Sequence, residues 1–106
     1  MKKATLRVPL TSKAYQVFLE EIGRYRKRVL TVLAVPDLGS KDLRIELTAL
    51  FHTVKGGAGF FGLDDLADTS AELERMFALE PFPEQANTFE LLNRFADITG
   101  HMPNPM

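Results

Sequence analysis

An all-α fold, an antiparallel up-down four-helix bundle with a short extended N-terminal arm, follows from three features of the sequence. Four segments carry apolar residues at spacings of three and four, the period of an amphipathic helix. Proline and glycine signals separate them by short connections, which favour antiparallel neighbours. At 106 residues the chain is long enough for one core and too short for two. The expected divisions are an arm at 1–11, the bundle at 12–100 and a disordered tail at 101–106.

Residues 4–10 alternate weakly through Leu6, Val8 and Leu10. A lone strand has no partner here, so the segment reads as an extended arm lying on the bundle or on another chain. The first helix is predicted from about Ser12 to Leu33, with Thr11 or Ser12 as cap. Tyr15, Phe18, Leu19, Ile22, Val29, Leu30 and Leu33 form its stripe. Val35-Pro36-Asp37-Leu38-Gly39 ends it, because the residue before proline disfavours helix. The second helix starts after Ser40, with Asp42 complementing the dipole of its first turn. Its stripe is Leu43, Leu47, Leu50, Val54, Ala58 and Phe61.

The third helix begins near Leu63-Asp64-Asp65 and turns Leu66, Ser70, Leu73 and Phe77 inward. Glu80-Pro81-Phe82-Pro83 stops it, since two prolines cannot continue a helix. The fourth, from about Glu84 to Thr99, offers Phe89, Leu92, Phe95 and Ala96, with Leu91 and Ile98 flanking. Gly100 closes it, and a frayed tail from His101 follows.

Composition narrows the function classes. Apolar residues make up 45% and charged residues 25%, ordinary for a globular protein rather than a disordered one. Cysteine is absent, which removes disulfides and thiolate metal sites. No apolar run approaches the roughly 18 residues of a membrane span. The opening Met1-Lys2-Lys3-Ala4-Thr5-Leu6-Arg7 lacks the hydrophobic stretch of a signal peptide. A cytoplasmic location is the expectation. A net charge of −1 gives no drive toward nucleic acid. The basic run Arg24-Tyr25-Arg26-Lys27-Arg28 reads as the solvated side of a helix, with docking of an acidic partner as its functional alternative.

The chemistry concentrates in Phe51-His52-Thr53-Val54-Lys55-Gly56-Gly57-Ala58-Gly59-Phe60-Phe61-Gly62-Leu63. At about 100° per residue, His52 falls roughly 160° from the apolar stripe of the second helix. It is therefore an outward histidine by pattern. Its helical neighbours are Thr48, Ala49, Lys55 and Gly56, with Gly59 two turns on, so the ring stands on a nearly flat surface. Each helical glycine costs about 1 kcal/mol relative to alanine. One reading ends the helix at Gly56. The other continues it, because Val54, Ala58 and Phe61 prolong the stripe, and gives the glycines the role of letting another protein approach. Lys55 projects from the neighbouring turn, where an ammonium can neutralise a phosphoryl group. Free imidazole titrates at about 6.5, so near neutrality most of it is an uncharged nucleophile. An acceptor on the second ring nitrogen would fix its tautomer, as a carboxylate does in serine hydrolases. Glu74, at the edge of the third helix's stripe beside Ala67, Ala71 and Ala78, is one candidate. Solvent exposure or ordinary salt bridging is the alternative for it.

The string from His52 to Leu63 resembles the phosphorylation-site motif of histidine-phosphotransfer domains, most closely the N-terminal domain of chemotaxis-type histidine kinases. The His-x-x-Lys-Gly core is present in full, as is the glycine that closes the helix, Gly62. Leu66 and Leu73-Glu74 match the leucines and acidic residue of the next helix. The match is strong over about 43–77, and the helix pattern extends it to roughly 12–100. The resemblance implies that His52 is phosphorylated on Nε2, that Lys55 lies near the phosphoryl group and that Glu74 accepts a hydrogen bond from Nδ1. Thr48, Ala49, Gly56, Gly59 and Ala71 would form the surface on which a receiver docks. It implies a phosphorelay carrier, expected to be monomeric, working between a histidine kinase and a response-regulator receiver. The carrier would need no cofactor of its own, with Mg²⁺ supplied by the partner.

The chain contains no nucleotide-binding glycine motif followed by Lys-Ser or Lys-Thr, so a carrier without kinase activity is expected rather than an enzyme. Three other readings compete. One is a phosphotransfer-like module that binds a kinase or receiver without carrying phosphate. A metal site is disfavoured, because His52 with Glu46 or His101 has no recognisable ligand spacing. A DNA-binding helical domain has only the 24–28 run in its favour.

Overall fold

Four helices account for most of the chain in the computed structural model, which describes residues 6–35, 37–82 and 85–103. They are α1 (Lys13–Val32), α2 (Lys41–Phe61), α3 (Asp64–Ala78) and α4 (Gln85–Thr99), with no strand among the described residues. Each predicted helix is present. The predicted start of the fourth at Glu84 lies outside the described residues.

Local chemistry fixes the ends. The Ser12 hydroxyl accepts from the Tyr15 amide, and the Ser40 hydroxyl from the Leu43 amide, so both serines satisfy donors left open in a first turn. Asp42 in α2 and Asp64 and Asp65 in α3 place negative charge at the positive ends of their helices. The α2 helix continues through Gly56, Gly57 and Gly59 and closes at Gly62, whose φ of 79° only glycine adopts without strain. There the Leu63 amide reaches back to the Ala58 carbonyl at 2.9 Å and the Gly62 amide to the Gly59 carbonyl at 3.2 Å, a Schellman closure.

The helices pack cyclically, each against its neighbours in the chain and α4 back against α1. The α1–α2 and α2–α3 pairings run antiparallel. Arg28 late in α1 meets Glu46 early in α2, whereas Phe18 early in α1 meets Phe61 at the end of α2. Between α2 and α3, Arg44 meets the Phe77 carbonyl while His52 meets Glu74. Leu47, Leu50, Val54, Leu66, Leu73, Leu92 and Phe95 fill the core, and Phe51 sits at its centre between Phe77 and Phe95.

Several side chains depart from the predicted stripes. Leu30, expected inward, is 44% exposed, and Val32 is buried in its place. Phe51 is fully buried although it lies beside the predicted stripe of α2. Because α2 packs on α1 and on α3, it buries a wider arc than a single stripe describes.

The arm and tail both dock. The Arg7 amide donates to the Phe61 carbonyl at 2.9 Å, and Leu6 and Val8 pack against the core. Residues 1–5 of the expected arm lie outside the described residues, as do residues 104–106 of the expected tail. Residues 101–103, expected to fray, are held instead: Met102 packs on the core and the Pro103 carbonyl accepts from the Tyr15 hydroxyl at 2.7 Å. Burial raises the Tyr15 pKa, so the phenol keeps its proton for that bond.

Candidate functional site

The sequence brings three polar side chains together on the exposed side of the α2–α3 pair. His52 projects from the middle of α2 with 68% of its side chain exposed. Its Nδ1 lies 2.8 Å from Oε2 of Glu74, the geometry of an N–H donating to a carboxylate. Lys55, one turn along α2, places Nζ 2.6 Å from the other oxygen of that carboxylate, Oε1. Glu74 thus serves both residues at once, one oxygen each.

Helix geometry explains the convergence. Lys55 follows His52 by three positions, so the two share a face of α2. Leu73 and Phe77, both buried, turn α3 so that Glu74 reaches the rim facing α2. The Glu74 carboxyl titrates below the ordinary carboxylate range, chiefly because of the Lys55 hydrogen bond, with that from His52 adding to it. It is an ionised acceptor at neutral pH. An ionised carboxylate fixed on Nδ1 selects the ring tautomer that keeps its proton there, leaving the lone pair on Nε2.

Around the imidazole the surface is low. A Cβ added at Gly56 or Gly59 would meet nothing within 4 Å. Gly57 differs from the surface role expected of all three glycines. It faces α1, where an added Cβ would overlap the Phe18 ring, so its smallness serves helix packing. On the other side of His52, Thr48 and Ala49 help to line a groove of about 570 Å³ between α2 and α3. The Thr48 and Thr53 hydroxyls donate back to carbonyls of their own helix, at 2.7 and 3.1 Å. Ala71, on α3, is half-buried.

Sequence reasoning missed three contributors. Ile45 is 60% exposed and Phe60 67% exposed, and with Ala49, His52 and Gly56 they follow one line along α2 at steps of three and four. That spacing was a readable signal. Arg44, on the groove wall, binds backbone carbonyls of distant residues and left no trace in the pattern.

Elsewhere Arg24 and Lys27 of the basic run are exposed, while two of its arginines are bound within the fold. Arg28 forms a two-pronged pair with Glu46 at 2.6 and 2.7 Å, and Arg26 donates to the Ala96 carbonyl at 3.1 Å. Among the described residues no group of three or more His, Cys, Asp or Glu side chains could hold a metal ion. Among them, too, no helix is long and apolar enough to cross a membrane.

No curated protein and no solved structure gave a match. A family model of the Hpt domain matches residues 13–100, nearly the whole bundle including His52, Lys55 and Glu74. By that match, on a four-helix fold with an exposed histidine at mid-helix, the chain belongs to the family of Hpt (histidine-phosphotransfer) domains, phosphorelay carriers of two-component signalling.

Proposed function

We propose that this domain carries its phosphoryl group on Nε2 of His52, taking it from a kinase or a receiver aspartate and passing it to a response-regulator receiver. One observation carries the reading: the ring is mostly exposed while its Nδ1 is held at 2.8 Å by an ionised carboxylate. In transfer from a receiver, the Nε2 lone pair attacks phosphorus, the P–N bond forms and the P–O bond to the aspartate breaks. The aspartate leaves as a carboxylate, and positive charge grows on the imidazole. Glu74 stabilises that charge through Nδ1–H without taking the proton, as the buried carboxylate of a hydrolase triad does. Lys55 sits one turn away and offers an ammonium to the phosphoryl oxygens. Transfer onward is the same step reversed.

The carrier supplies the nucleophile and its orientation. The acidic pocket and Mg²⁺ that neutralise the moving group belong to the partner, so no resident cofactor is required. Docking falls on the line through Ile45, Ala49, His52, Gly56 and Phe60, with Thr48, Gly59 and Ala71 beside it. Flat glycine surface admits close approach, and the two exposed apolar side chains at its ends supply contact area. A monomer suffices for this exchange.

Incubation with phosphorylated receiver, or with kinase and labelled ATP, is expected to place acid-labile, alkali-stable label on the wild type and none on His52→Gln. Label on that variant overturns the assignment. Lys55→Ala and Glu74→Ala remain folded, because neither residue is in the core, and transfer at least about tenfold more slowly. A module that only binds would bind receiver equally well as wild type or His52→Gln and never acquire label.

A further inference from the structure

We propose that Arg44 is a positioning residue for the His52–Glu74 pair, setting the register of α3 against α2. The proposal rests on the reading of His52 as the phosphorylated nucleophile, but its test does not need phosphotransfer.

Arg44 lies on α2 two turns before His52, and only 14% of its side chain is exposed. Its Nε donates to the Phe77 carbonyl at 3.1 Å and its Nη2 to the Leu79 carbonyl at 2.5 Å. The same Nη2 lies 3.1 Å from Oε1 of Glu80, and the guanidinium sits 5.5 Å from the centre of the Phe82 ring. Phe77 and Leu79 stand at the C-terminal end of α3, where carbonyls have no amide of their own helix to accept from. A cation there also meets the negative end of the helix dipole. Here the capping cation comes from the neighbouring helix. It therefore does more than close α3: it pins that end of α3 to a fixed point on α2.

Glu74 is one turn back along α3 from Phe77. Between the two polar tethers the helices touch through Phe51 and Phe77, whose rings are stacked at 6.1 Å with 14° between their planes. Apolar contact of that kind is non-directional and tolerates sliding along the helix axes. Hydrogen bonds weaken steeply with misalignment, so a fork on two carbonyls does not. A displacement of α3 along its axis would carry the Glu74 carboxylate away from Nδ1. The fork needs both Nε and Nη2, and lysine offers a single nitrogen.

The ¹⁵N spectrum of the His52 ring reports the tautomer directly. In the wild type the ring is expected to favour the proton on Nδ1, and Glu74→Gln to move it toward the mixture of free imidazole. Arg44→Gln is expected to move it the same way for part of that distance. Arg44→Lys, the milder change should the glutamine variant unfold, falls between wild type and glutamine. Glu80→Gln leaves the carbonyl bonds intact and keeps the wild-type tautomer. Phosphotransfer in folded Arg44 variants slows by about tenfold or less.

An unchanged tautomer in a folded Arg44 variant, whatever its melting temperature, reduces Arg44 to a cap on α3 and overturns the proposal. A shift in Glu80→Gln as large as that in Arg44→Gln overturns it too, by moving the effect to the loop charge. A wild-type ring without the Nδ1 preference removes the pair that Arg44 would position. Failure of the wild type to take label would sink the functional reading alone and leave the tautomer result standing.

Discussion

Gly56 and Gly57 are adjacent and chemically identical, and the structure sets them to opposite tasks. An alanine methyl at Gly56 would stand in open space, so Gly56→Ala is expected to stabilise the helix by about 1 kcal/mol. At Gly57 the same methyl would drive into Phe18, and the strain is expected to cost about 1–3 kcal/mol. Urea unfolding of the two variants measures both, and a like sign would contradict this division. Single residues were unevenly legible. The outward angle of His52 follows from the spacing of Leu47, Leu50 and Val54 alone. For Glu74 the pattern left solvent exposure and ordinary salt bridging open, and only the neighbouring helix shows one carboxylate bound to both His52 and Lys55. Arg44 was illegible, because its partners are main-chain carbonyls some thirty residues away, and a backbone atom has no letter in a sequence.

At the level of elements, periodicity located all four helices because each connection carries its own stop: proline before α2, Gly62 before α3, the 81–83 prolines before α4. It was weaker on what each helix buries. Periodicity assumes one narrow stripe per helix, whereas Phe51 widens that of α2 toward Phe77 of α3 and Phe95 of α4. The terminal segment was misjudged for a related reason. Pro103 supplies only a carbonyl, and the phenol that claims it lies in α1. Tyr15→Phe keeps the ring contacts with Phe18 and Phe61 and removes that one hydrogen bond. A loss of about 1 kcal/mol is expected, with faster amide exchange confined to residues after Gly100. Unchanged exchange there would show that Met102, rather than the hydroxyl, holds the segment.

For the whole molecule, the fold class was legible and the acid response was not. Glu46, Glu72 and Glu74 all titrate below the ordinary carboxylate value of 4.5, each chiefly through a hydrogen bond from a basic side chain: Arg28, Arg75 and Lys55. A carboxyl whose pKa is depressed by folding contributes stability that is fully present above its unfolded value. That contribution is lost as pH falls through the folded value. Melting temperature should therefore hold level from neutrality down to about pH 5 and decline below that ordinary value of 4.5. Glu46→Gln and Glu74→Gln should each flatten that decline. Exposed pairs of this kind contribute little, so the slope is shallow and salt weakens it.

The docking of both chain segments has a consequence for topology. Arg7 is bonded to the end of α2, Pro103 to Tyr15, and the Tyr15 and Phe61 rings meet at 5.4 Å. The two strands of chain that leave the bundle do so from the same pole, while His52 lies at mid-helix on its flank. A short peptide bridging them would close the backbone into a ring with little loss of loop entropy. The fold is in that sense cyclic, and any tether attached at that pole leaves the flank that carries His52 free to turn toward whichever partner arrives.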